Sequence, residues 1–312
     1  TTGLARDRSE ADAQLPAIEF VVDRVPFGGV GIDAVPHDPD AFLGAARLPR
    51  PAFLETSRAV PEISLIRQYS DEQGGVGPPS TRRPFLDVEG GFPVNASAGG
   101  TDSRGIVIDP TPRIACKARV PAVGPAFTAE DRDREIAACA RKPARAFVAN
   151  RSPAALLVGD VGVGDGGAYD PDRLTIHTSV PLSAGASKVY LAPIVDRDGA
   201  YSLRVFVVCF DSATIFVYDP DAGELENVLR VGVGPFAMAF DPFSLEDVAR
   251  HATVPIDPRD QASGLRRYRF AYLASFTQSY VQVIDLDNAV PDTVTFERVV
   301  YTLGRPTNPK GS

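Results

Sequence analysis

Tryptophan is absent from this chain, methionine occurs once, and histidine and cysteine occur three times each. Each scarcity removes a class of chemistry. Without tryptophan, no aromatic cage built on indole can form. The histidines are His37, His177 and His251, and no H-E-x-x-H pair exists, which excludes a zincin site. No C-x-x-C-H occurs, which excludes covalently attached c-type haem. No G-x-S-x-G occurs either, so a hydrolase of the nucleophile-elbow kind lacks its signature. There is no apolar run of about 18 residues, so no transmembrane segment is expected. A basic stripe is missing as well. The net charge is −8, and Arg82-Arg83 and Arg266-Arg267 are isolated pairs. Nucleic acid binding needs clustered cations to displace phosphate counterions, so no nucleic acid partner is expected.

What the chain does have is proline and glycine, 28 and 27 of them, a supply that suits many short strands separated by turns. One strand-turn-strand phrase is written four times: Phe53–Tyr69, Phe147–Val161, Val205–Asp219 and Ala271–Asp285. Each is an apolar run, a short turn around Arg58, Arg151, Asp211 or Thr277, and a second apolar run. An earlier strand precedes each phrase, at Val25–Pro36, Ser103–Pro110, Ser187–Asp196 and Gly234–Pro242, with small or glycine residues leading in. A later strand follows, at Pro84–Gly90, Arg173–Val180, Glu226–Gly232 and Phe296–Gly304. The unit is four strands and it recurs four times. Self-similarity of this kind marks a repeat architecture, and four antiparallel strands per unit is the blade pattern of a β-propeller. A sandwich also uses many short strands, but it would not repeat the same order with the same lead-in.

The expected fold is therefore all-β, a propeller of four-stranded antiparallel blades. The expected blades cover about 25–100, 103–180, 187–233 and 234–304, within a propeller region 17–305. Residues 1–16 read as an N-terminal extension and 306–312 as a tail. Ala17–Gly29 matches Glu226–Met238, a last strand running into a first one, so the chain is expected to begin inside an earlier blade. That leaves a four-bladed closure or a larger ring, of seven blades for example, with blades missing from this chain.

The segments Pro235–Pro242, Phe147–Val161 and Val205–Pro235 resemble the YVTN-type and lactonase-like β-propeller repeats of bacteria. Phe147-Val148-Ala149-Asn150 is the nearest copy of the tetrad. The resemblance covers about 103–304 well and 25–100 loosely. It is specific for architecture and not for activity, because such propellers serve as enzymes, enzyme subunits and binding platforms.

The cysteines divide into Cys116 and Cys139, which bracket a polar insertion, and Cys209, inside an apolar strand. One disulfide, Cys116–Cys139, with one buried thiol is the economical arrangement, and three reduced cysteines are the alternative. If the bond forms, the compartment is oxidising: periplasm, cell surface or secretion. The segment TTGLARDRSEADAQ is not itself a signal peptide, and it fits a chain trimmed by processing as well as one cut otherwise.

Candidate chemistry is sparse. Gly162–Gly167 spells G-x-G-x-x-G, but strands stand on both sides where a dinucleotide site needs a helix, so these glycines are expected in a loop. Asp165, Asp170 and Asp172 crowd the same loop, and Asp196 and Asp198 sit in a second D-x-D-G fragment. These five are the metal candidates, with Ca²⁺ as the cation that such oxygen-rich loops suit. Acidic turn residues explain them equally. Asp33, Asp109 and Asp241 recur just after the first strand, with Asp196 nearby in the third unit, and a turn-capping role is expected for them. A metal-dependent lactonase would instead place acidic ligands around the central channel.

Loop decoration is one-sided. Insertions fall at Pro36–Ala52, Thr111–Arg145 and Phe243–Arg269, after the first strands, and at Ser70–Arg83 and Gly162–Asp172, after the third. Both classes emerge on one face of an antiparallel blade. Two insertions carry helix signals, with Thr128 and Ser244 as candidate N-caps followed by acidic first turns. No catalytic constellation and no cofactor are expected. The expected function is an extracytoplasmic binding or scaffold module that docks a protein partner on its decorated face. The alternatives are a lactonase-like hydrolase or the propeller subunit of a redox enzyme, and a structural subunit whose further blades come from another chain.

Overall fold

The computed structural model describes residues 25–45, 48–70, 84–94, 102–252, 270–289 and 294–304. They form four four-stranded antiparallel sheets, each in simple up-and-down order. The first holds β1 (Gly29–Ala34), β2 (Ala52–Ser57), β3 (Glu62–Ser70) and β4 (Pro84–Pro93). The second holds β5 (Ser103–Asp109), β6 (Ala144–Asn150), β7 (Ala155–Val163) and β8 (Tyr169–Pro181). The third holds β9 (Ala186–Val195), β10 (Tyr201–Cys209), β11 (Thr214–Asp219) and β12 (Glu224–Arg230). The fourth holds β13 (Pro235–Phe240), β14 (Phe270–Ser275), β15 (Tyr280–Asp285) and β16 (Val299–Gly304). The arrangement is compatible with propeller blades. β1 packs beside β5, β5 beside β9, and β9 beside β13. Among the described residues no comparable contact joins β13 to β1, and no closed ring is shown. The expected earlier strand at Ala17–Gly29 lies largely outside the described residues.

Repetition extends to the local chemistry. Each lead-in residue accepts a hydrogen bond from the turn of its own sheet: Arg58 N to Gly28 O, Arg151 N to Asp102 O, Phe210 N to Gly185 O, and Phe276 N to Gly234 O. Gly28, Gly185 and Gly234 all have positive φ, which explains the glycine before three of the four first strands. A β-bulge follows at the same point in every sheet, at Val30, Arg104, Ser187 and Phe236. Bulges sharpen twist and re-aim a strand, and here they recur beside the close approach of neighbouring first strands. A Cβ on Gly31 would stand 2.7 Å from the Cα of Gly105, so the first two sheets touch through backbone there.

Three cores fill the seams between successive sheets. Leu54, Ile63 and Leu65 meet Ile106, Val148 and Leu157 between the first two. Phe147, Ala149 and Leu156 meet Val205, Val207 and Cys209 between the second and third. Phe206, Val208 and Ile215 meet Met238, Leu273 and Ile284 between the third and fourth. Successive residues of a strand point to opposite faces, so Val205 and Val207 face one neighbour while Phe206 and Val208 face the other. Both faces of the two middle sheets are buried. That is why nearly every residue of β6 and β10 is buried, while many residues of β14 and β15 are only half-buried.

The sequence expectation and the structure differ at two places. The acidic loop expected at Gly162–Asp172 is mostly strand: β7 runs to Val163, β8 starts at Tyr169, and Val163 pairs with Tyr169. Only a tight turn around Asp165–Gly167 remains, with Gly166 and Gly167 at positive φ. The second difference is a helix without a side-chain N-cap, α1 (Thr111–Ala118), whose start is marked only by Pro112 in its first turn.

Candidate functional site

The insertions after the first strands converge. Helix α1 is followed by α2 (Ala129–Ala140), and the fourth sheet contributes α3 (Leu245–His251). The first sheet contributes a short 3-10 turn at Pro39–Phe42. α1 packs on α2 and on α3, and α2 packs on the 3-10 turn. The two expected N-caps are in place. Thr128 and Asp131 form a reciprocal capping box, and the Ser244 hydroxyl accepts from Asp247 N at 3.0 Å. Cys116 of α1 and Cys139 of α2 are joined by a disulfide, with an S–S distance of 2.05 Å.

This cap is fixed to its sheets by polar ties. The Arg113 side chain is buried, and its guanidinium donates to the carbonyls of Lys142, Pro36 and Val161 at 2.6, 2.5 and 3.3 Å. Burial lowers its pKa. Lys117 Nζ donates to Asp38 and Asp40, both at 2.5 Å, which ties α1 to the 3-10 turn. Arg145 bonds Asp109 at 2.7 Å and reaches Asp221 at 2.5 Å in the next sheet. α3 lies over the third sheet, where Leu245 and Val248 pack on Tyr201 and Leu203. It can do so because the β9–β10 turn is short: Asp196 Oδ1 accepts from Asp198 N and Ala200 N and closes it tightly.

His37, Arg67, Asp172 and Glu89 form a further ionic cluster. His37 Nε2 lies 2.5 Å from Asp172 Oδ1, and Arg67 Nη2 donates to Asp172 Oδ2 at 2.5 Å. Arg67 also donates to Glu89 at 2.7 Å. Burial pushes the Asp172 pKa up, but hydrogen bonds from His37 and Arg67 outweigh it and hold the carboxylate below its ordinary range. The cluster joins the first sheet to the second. His251 instead sets its ring edge-on to Tyr201, and His177 is exposed beside Asp160 and Thr178, so the three histidines serve separate places.

The metal candidates are dispersed among other partners. Asp165 pairs with Arg173 at 3.1 Å, Asp170 is exposed, Asp172 is engaged as above, and Asp196 closes its own turn. Asp198 lies exposed beside it. Among the described residues no three His, Cys, Asp or Glu side chains form a group that could hold a metal ion. The recurring carboxylates all bond to nearby donors. Asp33 accepts from Ala34 N and, across the seam, from Ile108 N at 2.7 Å. Asp109 accepts from Thr111 N, and Asp241 from Phe270 N. Cys209 occupies the register position held by Ser57, Asn150 and Ser275 in the other sheets. Burial pushes its thiol up to about 11, which leaves it inert.

Among the buried acids that sequence reasoning missed, one lines a cleft. Glu297, before β16, is only 3% exposed, and its backbone has φ of 54°. It belongs to a cleft at the seam of the third and fourth sheets, beside Asp196 and Asp198. Nothing in the local run TFERVV marks it.

The class that these features define is a repeat β protein of four propeller-like sheets with a helical cap on one face. No protein family and no curated protein matches the chain. Among solved structures, a functionally unknown protein from Desulfotomaculum acetoxidans is similar at a TM-score of 0.43 and 13% identity, over 90% of this chain and 59% of that one. Dihydro-heme d1 dehydrogenase NirN in complex with DHE is similar at a TM-score of 0.37 and 14% identity, over 84% and 36%. Chaetomium thermophilum Polycomb Repressive Complex 2 bound to GSK126 gives a TM-score of 0.40 and 12% identity, over 88% and 42%. The chain thus spans less than two thirds of each of these proteins.

Proposed function

We propose that this chain is an extracytoplasmic binding module of the bacterial propeller-repeat kind, and that it docks a protein partner on the capped face. One observation carries the reading: insertions from the first, second and fourth sheets converge into a single cap, whose two second-sheet helices a disulfide joins, whereas the opposite turns are short. Long ordered insertions on a rigid β scaffold are where binding residues concentrate. The disulfide supports an oxidising compartment. The test is affinity capture from the native host, with variants in which 120–127 and 243–252 are each shortened. Loss of a wild-type partner in both variants, with unchanged circular dichroism, supports docking on the cap. Retention of every partner refutes it.

A second reading, a ring completed by sheets from elsewhere, is favoured by the outermost strand β16, which leaves Val300, Tyr301 and Leu303 exposed. Exposed strand edges recruit further pairing. Sedimentation of the chain decides between them: a clean monomer at all concentrations argues against completion by a second chain.

A further inference from the structure

We propose that the cleft between the third and fourth sheets is a binding site for a small organic ammonium ion, with the Glu297 carboxylate as its counter-charge. The cleft has a volume of ≈ 530 Å³, within the range of small-molecule sites. Its walls belong to both sheets, and the chain after β15 stitches them together: Val195 N donates to Leu286 O at 3.0 Å and Asn288 N to Val195 O at 2.9 Å. The floor is therefore set by backbone hydrogen bonds and not by loose side chains.

Glu297 is the feature that calls for a ligand. Its Oε2 accepts from Asn227 Nδ2 at 2.8 Å, while its buried Oε1 has no hydrogen-bond partner among the described residues. An orphaned buried carboxylate oxygen is costly and needs an explanation. The neighbouring cation cannot supply one. Arg204 donates to Glu226 through Nε and Nη2, to Ser202 and Leu203 through Nη1, and lies 3.1 Å from Asp219. Its donors are spent. Glu297 also holds a left-handed backbone although it is not glycine, as Ala213 does in the β10–β11 turn. Glu297 N donates to Asp285 O at 2.8 Å and fixes that conformation.

The rest of the lining selects the charge. Asp196, Asp198, Glu226 and Glu297 face Arg197 and Arg204, so carboxyl groups outnumber guanidiniums. Ile194 and Phe296 supply an apolar wall for a carbon skeleton. A primary ammonium group would donate to Oε1 and neutralise the carboxylate in one contact, which an anion or an uncharged apolar molecule cannot do. Burial pushes the Glu297 pKa up to about 7 and the Glu226 charge adds to it, against the Asn227 hydrogen bond and the more distant Arg204 charge.

The test follows the Asn227 side-chain amide by ¹H–¹⁵N NMR in the whole chain, because that amide bonds Glu297 directly. Titration with putrescine to about 10 mM should shift it saturably. Tetramethylammonium, which has charge but no N–H, should bind at least about tenfold more weakly, and acetate should give no shift. Glu297→Gln should lose about tenfold in putrescine affinity. The rim variant Asp198→Asn, exposed and harmless to folding, should lose about twofold. An Asn227 amide that does not move with putrescine, or that moves equally with tetramethylammonium, overturns the proposal even if Glu297→Gln fails to fold. So does a folded Glu297→Gln with unchanged affinity.

Discussion

Replacing Glu297 by glutamine should stabilise the protein, and only at neutral and alkaline pH. Burial is the first cause that pushes the Glu297 pKa up, with the Glu226 charge adding to it and the Asn227 hydrogen bond opposing it, to reach about 7 against an ordinary 4.5. A carboxyl whose folded-state value is raised is disfavoured as the folded anion. Its contribution to stability is fully present below about pH 4.5 and is lost as the pH climbs through 7. The gap corresponds to about 3 kcal/mol once both states are ionised. Between about pH 5 and pH 8 the wild type should thus lose about 2 kcal/mol relative to Glu297→Gln. Glutamine keeps the shape and one acceptor for Asn227, so the difference isolates the charge. Asp33 and Glu55 are also raised by burial, but they titrate in both proteins and cancel. Urea unfolding of both proteins at several pH values measures the difference, with m-values checked for equality. A stability difference that stays flat with pH would refute the reasoning, because the buried anion would then carry no penalty.

Three further outcomes are expected. Replacing both Cys116 and Cys139 by serine opens a loop with a sequence separation of 23, and the chain-entropy account puts the loss at about 3 kcal/mol; hydrogen exchange should rise in α1 and α2 first. Asp172→Ala removes the carboxylate that His37 and Arg67 share, leaving Arg67 with Glu89 alone, and should cost about 3 kcal/mol near neutral pH. Because the Asp172 pKa is depressed, that cost should fade as the pH falls below the ordinary carboxylate range, and thermal melts at acid and neutral pH should show the convergence. Gly185→Ala puts a Cβ 2.5 Å from Asp211 N at a φ of +85° and should lower stability by about 2 kcal/mol, whereas Gly44→Ala, with open space around it, should cost about 1.

The frame of this fold was legible because the middle sheets bury both faces and announce themselves as apolar runs, as at Val205–Cys209. The turn residues were legible because glycine at positive φ has few substitutes. α2 and α3 showed through their caps at Thr128 and Ser244. α1 did not, since Pro110 stands at its N-cap position without a side-chain cap bond and no acidic residue opens its first turn. β8 started earlier than expected because Tyr169-Asp170-Pro171-Asp172 has turn composition, yet pairing with β7 overrides it. The cluster of His37, Arg67 and Asp172 spans two sheets, and the Glu297 cleft spans two others. Neither proximity has a sequence signal, because each depends on which sheets become neighbours.

The tight β9–β10 turn has a consequence for how this chain can vary. α3 rests in the space that a longer connection at Asp196–Ala200 would fill, and α1 leans on α3 in turn. Lengths at distant positions are thereby made interdependent: a few residues added at Gly199 would evict a helix encoded some fifty positions later and leave its neighbour from the second sheet without a backstop. Descendants of this chain could lengthen the third turn only by first giving up the fourth insertion.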